Sequence, residues 1–274
     1  MDADPKLDFS DDEINRYARH ILLEEVGGIG QARLRAAKVL VVGAGGLGSP
    51  LLLYLTAAGI GTLGIADGDV LELSNLQRQI AHGTANIGMN KAHSAARAAA
   101  AINPLVRLHT HAVRIHAANA QALIAPYDII CDGTDNFAAR FLLADACHLA
   151  KKTLVSAAVL RFEGQLATFR PGFPCYRCLY PESPPAGLVP SCAEAGVLGG
   201  VTGVMGTLQA TEVLKEILGI GETLAGRLLL WDALATRFRT IKLRHDPACA
   251  LCGAAATIHD LSRHPLPAES ACVL

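Results

Sequence analysis

The sequence predicts an α/β fold: a Rossmann-like, doubly wound, mixed but mostly parallel sheet with an antiparallel extension and a small metal-stapled module. Three observations predict it. The apolar run Val39 to Val42 leads directly into Gly43-Ala44-Gly45-Gly46-Leu47-Gly48 and then an apolar helical stretch, the strand, turn and helix of a nucleotide-binding unit. Asp67 ends the next apolar run, where an acid can accept hydrogen bonds from ribose hydroxyls. Past Ala158 the pattern shortens to strand-like alternation, and the Cys-x-x-Cys pairs Cys175/Cys178 and Cys249/Cys252 fall in that half.

The elements follow in order. Ser10 to Leu23 reads as a helix, with Ser10 as cap and Glu13 three residues on completing a capping box. Arg16 and Arg19 share one of its faces. Val39 to Val42, Leu47 to Ala58 and Thr62 to Asp67 form a βαβ unit. Lys91 to Ile102 is an Ala-rich helix ended by Asn103-Pro104, followed by a strand over Arg107 to Val113 and a short helix over Asn119 to Ile124 that stops before Pro126. Asp128 to Cys131 continues the sheet, with Asp132 to Asn136 at its carboxyl end, the edge where open parallel sheets bind ligands. Phe137 to Lys151 is a helix and Thr153 to Ala158 a strand. Gly164 to Arg170 and Arg227 to Leu243 add antiparallel strands, and Thr202 to Leu218 is a long apolar helix. Pro181 to Pro190 is a loop, and the end of the chain lacks periodicity. The expected organisation is one domain over 1–253, comprising a helical arm (1–35), a nucleotide-binding half (36–160) and an antiparallel half (161–253), with a loosely ordered tail over 254–274.

Composition narrows the function. In 274 residues, 51% are hydrophobic and the formal net charge is -1, which suits a soluble protein with a large core and argues against binding nucleic acid by phosphate neutralisation. The acidic start, Met1 to Asp12, is no secretory signal, and the apolar stretches are interrupted well short of a membrane span, so the expected location is cytoplasmic. In a reducing compartment the paired thiols read as metal ligands: Cys175, Cys178, Cys249 and Cys252 supply the donors of a closed structural Zn2+ site. Unrelated buried thiols and a redox pair are the alternatives.

Other candidates carry charge. Arg78 and Lys91, downstream of Asp67, can neutralise phosphates or stand as solvated surface cations. Asp132 and Asp135 can hold Mg2+ on a nucleotide or cap the helix that begins near Asn136. Cys192 follows the proline-rich loop as a lone thiol, nucleophilic or inert, while Cys131 and Cys147 read as small apolar residues. The ten histidines, His259 and His264 in the tail among them, show no ligand spacing.

Taken together, Arg16-Tyr17-Ala18-Arg19, Gly43 to Pro50, Asp67, Ser74-Asn75-Leu76-Gln77-Arg78-Gln79, Lys91, Thr134-Asp135-Asn136, Glu163-Gly164-Gln165, the paired cysteines and Cys192 in its Glu-Ala-Gly setting resemble the MoeB/ThiF/HesA family, bacterial relatives of ubiquitin-activating enzymes. The resemblance runs from about Ser10 to Gly253. It implies a homodimeric nucleotidyltransferase that uses MgATP to adenylate the C-terminal glycine of a ubiquitin-like sulfur carrier protein ending in Gly-Gly, for molybdopterin, thiamine or related sulfur transfer. Carried over position by position, Gly46 belongs to the phosphate loop and Asp67 holds the ribose. Ser74, Asn75, Leu76, Gln77 and Arg78 form a nucleotide-binding segment in which Asn75 and Arg78 meet phosphates. Lys91 meets phosphate or the reacting carboxylate, Asp135 anchors Mg2+, and Asn136 lies beside the nucleotide. Arg19, with Arg16, reaches the partner subunit's phosphates. Cys192 matches a crossover-loop cysteine that forms covalent intermediates in some relatives and is dispensable in others. With no rhodanese-like extension following, sulfur is expected on another protein.

Two rival classes share parts of this pattern. An NAD-dependent oxidoreductase would need the glycine loop and Asp67 and nothing else named above. A non-catalytic, zinc-stapled protein that only docks the carrier would keep the cysteines without needing the charged residues.

Overall fold

A computed structural model describes residues 6–185 and 195–264. One eight-stranded sheet organises the chain, in the order β3-β2-β1-β4-β5-β6-β7-β8. Strands β1 (Lys38–Val42), β2 (Thr62–Ala66), β3 (Arg107–His111), β4 (Ile129–Asp132) and β5 (Thr153–Leu160) pair in parallel. Strands β6 (Glu163–Phe169), β7 (Arg227–Asp232) and β8 (Arg237–Lys242) add the antiparallel extension. The order reverses between β1 and β4, which opens a crevice at their carboxyl ends.

Helices cover both faces, so the central strands are apolar along most of their length on both faces, unlike strands with one wet face. Val39 and Val41 of β1 point into the core beneath α3 (Gly48–Ala58), α4 (Lys91–Ile102) and the long helix α8 (Gly199–Leu218). Leu40 and Val42 point the other way, beneath α5 (Ala120–Ile124) and α6 (Phe137–Leu149). Leu51, Leu52 and Leu55 of α3 are fully buried, and truncating any one of them to alanine should cost about 2–5 kcal/mol.

The amino-terminal arm is helical as expected. In α1 (Asp11–Ile21) Ser10 and Glu13 complete the reciprocal capping box. Residue pattern gave no sign of α2 (Gly27–Ala36), which has no side-chain cap; it is held by burial of Gln31 and Leu34 and by the bond from Gln31 Nε2 to Ala58 O at 3.0 Å. Tyr176–Leu179 forms one helical turn, α7, that follows Cys175 and carries Cys178.

The expected loose tail is corrected for residues 254–264. Ile258 and Leu261 are buried, and Thr257 and Ile258 donate their amides to Ala250 O at 2.8 and 2.9 Å. Two apolar anchors outweigh a polar, aperiodic sequence. Residues 265–274 lie outside the described part, as does Cys192. Among the described residues no helix is long and apolar enough to cross a membrane.

Candidate nucleotide site and cysteine cluster

A cavity of about 570 Å³ opens at the strand-order reversal. Its floor is the loop from β1 into α3. Gly43 has φ +91°, and a Cβ there would lie 2.8 Å from Gly133 O; a Cβ on Gly48 would run into Gly43 O. Only glycine fits either position, because the loop folds tightly on itself and against the β4 turn. Helix α3 starts from Leu47 with no side-chain cap; Ser49 N is taken by Gly45 O at 2.9 Å and Pro50 has no N–H, so the amides without a partner among the described residues are those of Gly45 to Gly48, where an anion can be met.

Asp67 follows β2 and lines the cavity. Its Oδ2 accepts from Ala44 N and its Oδ1 from Asp69 N, both at 2.8 Å, so it ties the glycine loop to the β2 turn. Burial pushes its carboxyl above the ordinary value, against the backbone hydrogen bonds and the charge of Lys91. Lys91, the first residue of α4, is buried beside it with Nζ 3.1 Å from Asp69 Oδ2. Arg114 holds the same carboxylate at 2.7 Å. Burial pushes Asp69 up, but the two cations outweigh it and the net shift is downward.

Arg78 lines the cavity and donates to Ser74 O at 3.1 Å. Asp135 and Asn136 line the same cavity from the turn after β4; Asn136 caps α6, its Oδ1 accepting from Ala139 N at 2.9 Å. Gly46, Asp67, Arg78, Lys91, Asp135 and Asn136 thus line one cavity. Ser74, Asn75, Leu76 and Gln77 do not line it in the single chain; Asn75 is buried, and its Oδ1 accepts from Glu72 N at 3.2 Å to close a tight turn. Arg19 is exposed on α1 and lines no part of its own chain's cavity, while Arg16 donates to Ile102 O at 3.0 Å. Asp132 is excluded as a nucleotide or metal contact here. It is fully buried, with Oδ1 held by Thr134 and Oδ2 by Ser156 Oγ at 2.8 Å.

Sequence reasoning missed three supports. His82 is buried with Nε2 2.8 Å from Ala44 O and Nδ1 2.8 Å from Ser94 Oγ, and burial depresses its pKa, so it is a neutral brace under the glycine loop. Gln79 lines the cavity with its Oε1 buried and unpartnered; it ends the Asn75 to Gln79 stretch, which is the one signal that could have found it. Arg140 of α6 donates to Thr134 O at 2.6 Å and Ala157 O at 3.0 Å, holding the Asp135 turn to β5.

Cys175, Cys178, Cys249 and Cys252 converge, with all four sulfurs within 4.8 Å of one another. The pairs Cys175/Cys249 and Cys178/Cys252 stand 3.5 and 3.3 Å apart. Tetrahedral thiolates about 2.3 Å from a shared metal would lie about 3.8 Å apart, so the cluster fits one metal ion after small adjustment. Burial pushes the Cys175 thiol well above its ordinary value, the cost of gathering thiolates without a cation. Cys131 and Cys147 are buried with thiols pushed up by desolvation, in keeping with inert packing.

Comparison with known proteins follows the same outline. The ThiF family model matches residues 17–251. A probable adenylyltransferase/sulfurtransferase MoeZ of Mycobacterium tuberculosis is 52% identical, covering 90% of this chain and 64% of the relative. The sulfur carrier protein adenylyltransferase of Thermus thermophilus is 48% identical, covering 91% of this chain and 94% of the relative. The adenylyltransferase and sulfurtransferase MOCS3 of Bos taurus is 52% identical, covering 94% of this chain and 57% of the relative. The chain therefore spans less than two thirds of the MoeZ and MOCS3 relatives. Among solved structures, E. coli MccB with ATP superposes with a TM-score of 0.77 at 22% identity, covering 87% of this chain and 74% of that one, a likeness of fold.

Proposed function

Because this chain belongs to the ThiF family, we propose that it is an ATP-dependent adenylyltransferase that activates the C-terminal glycine carboxylate of a small ubiquitin-like sulfur carrier protein. The observation that carries this reading is the convergence of Arg78, Lys91, Asp67 and Asp135 on one cavity above the glycine loop. Hydride transfer has no use for two cations and a free acid placed there. A triphosphate has.

In the reaction, a carboxylate oxygen of the carrier attacks the α-phosphorus of ATP, the bond to the β-phosphate oxygen breaks, and pyrophosphate leaves with that electron pair. Two anions must approach each other, so the barrier falls with positive charge fixed beside them. Lys91, nine-tenths buried, loses little solvation on meeting phosphate and needs no reorientation, because Asp69 holds it. Arg78 would take the outer phosphates, the loop amides of Gly45 to Gly48 would cradle them, and Asp67 would accept from the ribose hydroxyls. Asp135 is exposed, lines the cavity and makes no hydrogen bond among the described residues, which fits a carboxylate that would hold Mg2+. That ion would supply charge neutralisation on the triphosphate.

The cysteine cluster would hold a structural Zn2+. Four sulfur donors leave no position for water or substrate, so its role would be to staple α7 and the segment after β8. The carrier would dock on residues 161–253. Support comes from β8, an edge strand exposed along its length that offers unpaired backbone groups together with Arg237, Arg239 and Lys242. In a homodimer the exposed Arg19 of one subunit would reach the nucleotide of the other.

The test is pyrophosphate exchange into ATP with purified protein and a carrier ending in Gly-Gly. Exchange should require the intact terminus and should vanish in Asp135→Ala with metal content unchanged. Tight NAD binding with none of MgATP would overturn the reading, and exchange retained by Asp135→Ala would remove Asp135 from its role.

A further inference from the structure

The segment after the cysteine cluster reaches the nucleotide cavity. Anchored by Ile258 and Leu261, it turns at Leu261, whose carbonyl accepts from His264 N at 3.0 Å, and so sets His264 in the cavity wall. The His264 side chain is 8% exposed. Its Nε2 lies 2.8 Å from Oδ2 of Asp145, a fully buried carboxylate on α6. Arg177 grips the same carboxylate with Nε and Nη2, each at 2.7 Å. Burial would raise Asp145, but the hydrogen bonds from His264 and Arg177 outweigh it and keep it ionised. An ionised carboxylate only accepts, so Nε2 carries the proton, and in the neutral ring Nδ1 is an acceptor. No described residue bonds that nitrogen, and it is not among the buried unpartnered atoms.

The position of His264 along the cavity gives the fixed tautomer its meaning. The glycine loop, Arg78, Lys91 and Asp135 mark the anionic end, and Asp67 the sugar. The lining also takes in Ala138 and Leu142 of α6, Leu142 three residues before Asp145, together with Ile115, His116 and His264; Arg114 and Arg140 line it too, but Asp69 holds the one and Thr134 O and Ala157 O the other. Helix α6 carries the wall about 12 Å from its start beside Asp135 to Asp145, so His264 stands away from the phosphates among apolar side chains that suit a flat aromatic base, which is sorted by the few polar atoms at its edge.

Resting on the adenylyltransferase reading above, we propose that His264, oriented by Asp145, is a specificity-determining residue of the base subsite: its Nδ1 accepts a hydrogen bond from the 6-amino group of adenine. A 6-oxo purine would present a lone pair to the same acceptor. The selection for ATP over GTP or ITP is therefore built by a segment that lies beyond the cysteine cluster and is tied back to it through Asp145 and Arg177.

The experiment measures affinities of the magnesium complexes of ATP, purine riboside triphosphate (which lacks the 6-amino group) and ITP by calorimetry, for the wild-type chain, His264→Ala and His264→Gln. Metal content and thermal melts accompany each. Wild type should bind ATP about 3- to 10-fold more tightly than the deaminated analogue, the range for one neutral hydrogen bond. His264→Ala should weaken ATP by that factor and treat the two nucleotides alike. His264→Gln, whose amide both donates and accepts, should recover ATP binding while admitting ITP. The proposal is overturned if His264→Ala keeps the wild-type ratio between ATP and the analogue, or if wild type shows no such ratio, a result that needs no variant to fold. Failure of the function reading looks different: wild type then binds ATP with the expected ratio but exchanges no pyrophosphate.

Discussion

Replacing Lys91 by methionine removes one charge from the cavity wall while keeping most of the side-chain volume. In the folded chain Nζ sits 3.1 Å from Asp69 Oδ2, and Asp69 is also held by Arg114 at 2.7 Å, so the variant does not orphan the carboxylate. Asp69 is 43% exposed, and the stability lost with this one pair should be about 1 kcal/mol or less at neutral pH. The loss should shrink on acidification for two reasons. Asp69 is depressed in the folded state, so its contribution is present above the ordinary carboxylate range and disappears as pH falls through the depressed value. Asp67 is raised by burial, with Lys91 among the influences holding it down; without that charge it rises further and penalises folding more as pH climbs through the window above its unfolded value. The nucleotide should feel far more. A charge-assisted hydrogen bond is worth about 1.5–3 kcal/mol, which is roughly 10- to 150-fold in Kd. Calorimetric titration with MgATP at pH 7, alongside urea melts at pH 4 and 7, reads both effects. Affinity within about twofold of wild type would refute the placement of Lys91 at the phosphates, and a stability loss of several kcal/mol would make it a structural residue instead.

Other perturbations separate the loop, the metal and the buried ion pair. In Gly48→Ala the new methyl overlaps Gly43 O, so the loop must open; a stability loss of about 1–3 kcal/mol and a larger proportional loss of MgATP affinity should appear in melts and titration. Cys175→Ser, or treatment with a strong chelator, should take bound zinc from about one per chain toward none by elemental analysis and lower the melting temperature by roughly 5 °C or more, as expected when metal binding supplies folding energy. Arg177→Met leaves Asp145 buried without its bidentate partner and should cost about 3–5 kcal/mol in urea melts at pH 7. That deficit should narrow as pH falls through the lowered Asp145 value, because the stabilisation it reports is present above the unfolded carboxylate value and lost below the folded one.

The parallel half of the fold was legible because its signals are local. Strand β1 is an apolar run leading into turn glycines, and α4 ends at Ile102 as the Asn103-Pro104 stop requires. What escaped the sequence depends on contacts distant in the chain. Helix α2 opens with Gly27, Gly28 and Gly30, a poor helical start, and exists because Leu34 and Gln31 are buried against the rest of the chain. The two acids at the end of β4 and in the turn after it look equivalent in sequence. Burial separates them, giving Asp132 to Thr134 and Ser156 and leaving Asp135 in the cavity. The cationic and glycine parts of the site could be named from motif spacing, whereas His82, Arg140 and His264 have no motif and show their roles only through the carbonyl or carboxylate each one meets.

The most direct measurement is a crystal structure of the protein soaked with magnesium and ATP. The account predicts the triphosphate over Gly43 to Gly48, Lys91 Nζ and the Arg78 guanidinium within hydrogen-bond reach of its oxygens, the Asp135 carboxylate on the metal side, and the ribose on Asp67. A nucleotide bound elsewhere, or bound here with Arg78, Lys91 and Asp135 all out of contact, would contradict it.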